Sequence, residues 1–130
     1  MTIPAIDQQV TFITCTDLEA SSAFYREVLG LARVLDQGDC QIFRVAGEAF
    51  LGVCRRRAGR ALQTGGVVVT FVTQDVDGWY RYLIEQGVAT EGAPAEKPDY
   101  GIYNFFARDP DGYLIEFQTF LTEKWPAPRQ

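Results

Sequence analysis

No residue of this 130-residue chain is a histidine, and that absence bounds the chemistry open to it. Without imidazole there is no histidine-based nucleophile triad, no His-X-X-X-His zinc site, and no side chain that ordinarily titrates between roughly pH 5 and 8. Any proton transfer falls to a perturbed carboxylate, thiol, lysine or tyrosine. Cys15, Cys40 and Cys54 are odd in number, widely spaced and lack a C-x-x-C pair. They read as buried structural thiols, not as a disulfide framework or zinc knuckle. Arg55, Arg56 and Arg57 with Arg60 form the one basic cluster. It follows a strand end and reads as a solvated, edge-protecting segment in preference to an anion site.

The elements that must position these groups occur twice. VTFITCTDLEASSAFYREVLG from Val10 and VTFVTQDVDGWYRYLIEQG from Val69 each read as apolar strand, polar break, amphipathic helix and terminating glycine. Thr16 and Glu19 have the spacing of a capping box, and Leu18, Phe24, Val28 and Leu29 supply an apolar stripe, so the first helix is expected over about Asp17 to Leu29 with Gly30 beyond its end. In the second copy Asp75 can cap, and Val76, Tyr80, Leu83 and Ile84 follow the helical repeat up to Gly87. Trp79 and Tyr82 lie off that stripe, and Trp79 and Trp125 are candidates for a dimer contact or a cover over a cavity and, with equal weight, for ordinary surface packing. Strand-like runs follow each helix: Ala32 to Asp36, Cys40 to Val45 and Ala49 to Arg55, then Val88 to Glu91, Ile102 to Ala107 and Tyr113 to Phe120. Asp109-Pro110-Asp111-Gly112 is a type I turn signal that makes the last two runs a hairpin. Arg57 to Gly66 reads as the linker, and Gly92 to Gly101 as a mobile loop.

Composition sets the outer bounds. A hydrophobic content of 47% and a charged content of 22% suit one independently folded globular domain, 1–130, with modules at about 8–56 and 67–120. Twelve Lys+Arg against 17 Asp+Glu give a net charge of −5, which argues against nucleic acid or an anionic membrane as partner. No basic leader precedes an apolar run, and no apolar stretch approaches the about 20 residues that span a bilayer. Cytoplasm is the expected location.

The runs DLEASSAFYREVLGL and FFARDPDGYLIEFQTF, together with the internal repeat, resemble the vicinal oxygen chelate superfamily, the group of glyoxalases, bleomycin-resistance proteins and extradiol dioxygenases. The resemblance covers about residues 8 to 120. It implies an α+β fold of paired βαβββ modules, each curling a sheet into a half-barrel around a cavity, and a homodimer. Metal-dependent members ligate their ion from the first and last strands of the modules. Carried over, those positions fall on Val10, on Val68 (or Val69 if the register slips), on Gly52 and on Glu116 within Tyr113-Leu114-Ile115-Glu116-Phe117. Two valines, a glycine and one carboxylate are too few donors for zinc, nickel, iron or manganese, so no metal or other cofactor is expected. Gln8 or Gln9 replaces the first ligand only if strand one is shifted.

With Glu116 pointing into the half-barrel, strand alternation puts Leu114 and Gln118 beside it and Ile115 and Phe117 under the helices. The resemblance to fosfomycin-resistance transferases turns Asn104 and Phe106 inward, and Phe12 and Thr14 join them from strand one. The expected ligand site is therefore Phe12, Thr14, Tyr100, Asn104, Phe106, Glu116 and Gln118, an aromatic-walled pocket with a few polar groups. The favoured function is metal-independent binding of a small-molecule drug or metabolite, as in antibiotic-resistance members. A lyase, isomerase or transferase using Glu116 as general base, with Tyr100, Tyr103 or Asn104 stabilising an enolate-like oxygen, is the alternative. A metal-dependent glyoxalase- or dioxygenase-like enzyme follows if the register is wrong, and a filled barrel acting as an interaction module follows if there is no cavity.

Overall fold

The computed structural model describes residues 2–128. They divide into two compact units, the first ending at Leu62 and the second beginning at Gln63. The first contains β1 (Gln9–Cys15), α1 (Leu18–Ala23, continued by a π-helical turn over Phe24–Val28), β2 (Ala32–Asp36), β3 (Cys40–Ala46) and β4 (Ala49–Arg55). The second contains β5 (Val68–Val72), α2 (Val76–Glu85), β6 (Ala95–Lys97), β7 (Ile102–Arg108) and β8 (Leu114–Phe120). Each unit builds one four-stranded sheet, ordered β1-β4-β3-β2 and β5-β8-β7-β6, whose first strand runs parallel to its last. The β-α-β-β-β order expected from the repeat is thus present in both units.

Period-2 alternation decides which residues each sheet buries. In the first unit Ile13, Phe43, Leu51 and Val53 are buried together with Leu18, Phe24 and Tyr25 of the helix. In the second, Phe105 and Phe117 stack at 5.3 Å between ring centroids, and Tyr80 of α2 meets Phe105 edge-on. Trp79 stacks on Phe117 at 4.8 Å. It therefore anchors the helix on its own sheet.

Local capping differs from expectation by one residue at the first helix. Asp17, not Thr16, is the N-cap, its carboxylate accepting from the Ala20 backbone N–H at 3.2 Å. A carboxylate is the stronger acceptor for an orphan helix donor. The helix then widens, with Leu29 N–H donating to the Phe24 carbonyl five residues back, and Gly30 (φ +73°) ends it in the left-handed conformation that glycine adopts without strain. Asp75 caps α2 as expected, accepting from Gly78 N–H at 3.0 Å.

The strand expected at Val88 to Glu91 is instead a single bridge, Thr90 opposite Ala107, and β6 forms inside the segment read as a loop. Thr90 pairs with Ala107 but Ala95 with Asn104, so two extra residues bulge out between the pairings, at a stretch holding Gly92 and Pro94. The Asp109–Gly112 turn closes as expected by a Gly112 N–H to Asp109 carbonyl bond of 3.0 Å. The buried Asp109 carboxylate also accepts from the Asp111 and Tyr113 N–H groups at 2.9 Å each, fixing the β7–β8 hairpin.

The cysteine expectation is corrected. Cys40 and Cys54 form a disulfide, and Cys15 is the buried thiol. The pair lies 14 positions apart in sequence, but β3 and β4 place the two directly opposite one another, which is the proximity a disulfide needs.

Candidate functional site

The hairpin β7–β8 supplies most of the site. Its pairing sets Phe106 opposite Glu116, Asn104 opposite Gln118 and Ile102 opposite Phe120, all on the face away from α2. Leu114 shares that face, while Ile115 and Phe117 are buried on the other, as the alternation argument requires. The three facing pairs line a cavity of about 520 Å³, within the range of small-molecule sites. Its walls are Ile102, Phe106 and Phe120, with the highly exposed Tyr100 at its mouth. Its polar groups are Lys97, Asn104, Glu116 and Gln118.

One chain of hydrogen bonds crosses all four strands of this sheet. Lys97 Nζ on β6 donates to Asn104 Oδ1 on β7 at 2.9 Å, and Asn104 Nδ2 donates to Glu116 Oε2 on β8 at 2.6 Å. Thr70 Oγ1 on β5 donates to Glu116 Oε1 at 2.8 Å. An ammonium can only donate and an ionised carboxylate only accept, so the buried Asn104 amide has one possible orientation between them. Both oxygens of Glu116 are held, and the carboxylate is fixed at the cavity wall.

Five of the expected site residues, Tyr100, Asn104, Phe106, Glu116 and Gln118, line this one cavity. Phe12 and Thr14 belong to the first unit. Phe12 lies opposite Gly52, and a Cβ built at Gly52 would meet the Phe12 ring, 3.2 Å from Cγ and closer still to Cδ1 and Cε1. Thr14 donates to the Ala61 carbonyl at 3.1 Å. Lys97, Thr70 and Phe120 were not singled out from the sequence. For Thr70 the signal was available, because parallel pairing of the first and last strands sets it beside Glu116. Tyr103, considered as an enolate stabiliser, faces the other way: its hydroxyl donates to the Asp77 carboxylate of α2 at 2.5 Å. That bond holds the Tyr103 phenol above its usual pKa.

The same registry tests the family's metal positions. Val10, Val68 and Gly52 present no side-chain donor atom, which leaves the Glu116 carboxylate alone among these four positions. Gln8 and Gln9 donate to Glu48 and Thr11 respectively. Among the described residues no three His, Cys, Asp or Glu side chains come together. This donor set does not fit a divalent ion of the kind that metal-dependent members hold.

Residues 6–117 match the glyoxalase/bleomycin resistance protein/dioxygenase superfamily, and the chain belongs to it. None of the curated proteins matches the chain. Among solved structures it resembles a lactoylglutathione lyase from Agrobacterium tumefaciens (25% identity, TM-score 0.77, covering 95% of this chain and 100% of that one). It also resembles an integron cassette protein from the mobile metagenome of the Halifax Harbour sewage outfall (21% identity, TM-score 0.75, 88% and 98%). A glyoxalase/bleomycin resistance protein/dioxygenase from Nocardioides shares the fold as well (19% identity, TM-score 0.73, 99% and 93%). No helix among the described residues is long and apolar enough to cross a membrane.

Proposed function

We propose that this chain is a metal-independent small-molecule-binding protein of the glyoxalase/bleomycin-resistance type, acting as a homodimer. The observation that carries the reading is the cavity itself: aromatic and aliphatic walls around a carboxylate that Thr70 and Asn104 already hold in place. Walls of this kind bind a planar or amphipathic body by burial and stacking, and the few fixed polar groups orient it. The dimer is supported by the edge position of β5, whose Val68 and Val72 are about half exposed. Native mass spectrometry of the purified protein tests the reading. A dimer that takes up one organic ligand per chain without metal supports it, and one tightly held metal ion per chain overturns it.

A further inference from the structure

The polar floor of the cavity carries two opposite charges that do not meet. Lys97 and Glu116 both line it, yet no direct ion pair joins them; the Asn104 amide stands between, accepting from one and donating to the other. Lys97 spends one of its three protons on Asn104, and each Glu116 oxygen accepts one bond where it has room for two. Opposite charges that share a half-buried cavity wall normally collapse onto each other or point to water, because an uncompensated charge beside apolar walls is costly. Here the hydrogen bonds hold them one amide apart and leave each with capacity toward the cavity.

The geometry points to a zwitterionic ligand with an aromatic or branched apolar body, of the amino-acid type. This inference rests on the binding reading given above. The ligand's ammonium would donate to Glu116 and its carboxylate would accept from Lys97, repeating alongside Asn104 the acceptor-then-donor order that the amide itself presents. An α-amino acid separates its carboxylate oxygen from its nitrogen by two carbons, close to the single carbon that separates the Asn104 oxygen and nitrogen. Its side chain would then lie against Phe106 and Phe120. Both ligand charges are answered by fixed partners, so neither is left unpaired on leaving water.

Isothermal titration with four probes sharing one ring tests it on the unmodified protein: L-phenylalanine, 2-phenylethylamine, 3-phenylpropanoate and 3-phenylpropanol. The expected result is that L-phenylalanine binds at least tenfold tighter than any other. Lys97→Met should remove that advantage over the amine, and Glu116→Gln the advantage over the propanoate. Equal binding of all four, or a best binder that carries one charge or none, overturns the zwitterion inference and leaves the binding reading standing. No binding of any of the four, alongside tight uptake of a metal ion, overturns both.

Discussion

Replacing Asn104 by leucine removes the link between Lys97 and Glu116 while keeping side-chain volume nearly constant. Asn104 is 2% exposed and makes two hydrogen bonds to charged groups, at 2.9 and 2.6 Å. Bonds of that kind are worth about 1.5–3 kcal/mol each. Lys97 and Glu116 are only half-buried and can turn to water, so the lower end applies, about 3 kcal/mol for the pair. The leucine recovers about 1 kcal/mol through added apolar burial. Asn104→Leu should therefore cost about 2 kcal/mol, read as a lower urea midpoint at unchanged slope, with Trp79 fluorescence reporting on this unit. A cycle with Glu116→Met isolates the Asn104–Glu116 bond and should show a coupling of about 1–2 kcal/mol. Additive effects within about 0.5 kcal/mol, or a leucine variant as stable as the original, would refute the claim that the amide is what holds the carboxylate.

Two further outcomes test other parts of the structure. The Tyr103 phenol holds its proton more firmly when folded because Asp77 accepts it, so its contribution to stability is complete below about pH 10 and is lost as pH climbs through the raised value. Tyr103→Phe should remove that alkaline loss, and urea unfolding from pH 9 to 11 that falls equally in both proteins would contradict it. The Cys40–Cys54 disulfide predicts that denatured, unreduced protein takes up one alkyl group, at Cys15, and three after reduction; closing a loop of this length contributes about 3 kcal/mol, lost on reduction. Three alkylations without reductant would rule the disulfide out.

The module repeat, both helices, the Asp75 cap and the β7–β8 turn were legible because each has a local cause: helical spacing, a capping carboxylate, or proline and glycine at fixed turn positions. Alternation along β8 correctly separated Glu116 and Gln118 from Ile115 and Phe117, since a period-2 pattern needs one orientation to fix all the others. What stayed hidden depends on partners distant in sequence. The disulfide requires knowing that Cys40 and Cys54 face each other across β3 and β4, and the role of Lys97 requires knowing that the chain bulges at Gly92 to Pro94 before pairing again. The stacking of Trp79 on Phe117 lay outside the counted stripe because the face that α2 packs is wider than its strongest apolar residues indicate.

The repeat also explains why chemistry concentrates in one unit. Thr70 faces Glu116 across β5 and β8, and the same registry in the first unit sets Phe12 opposite Gly52. Asn104 faces Gln118, and the matching pair is the Cys40–Cys54 disulfide; Phe106 faces Glu116 where Ile42 faces Gly52. Position by position, the donors and acceptors of the second unit, Thr70, Glu116 and the Asn104–Gln118 pair, are answered in the first by a ring, a glycine and a covalent bond. The substitutions are coupled by space. With the Phe12 ring over residue 52, only glycine fits beneath it, whereas the short Thr70 leaves room for the Glu116 side chain and supplies one of its two donors. A carboxylate at residue 52 would need both a smaller residue 12 and new donors, so regaining a polar site there takes several concerted changes, while in the second unit Thr70, Asn104 and Glu116 already form a satisfied set.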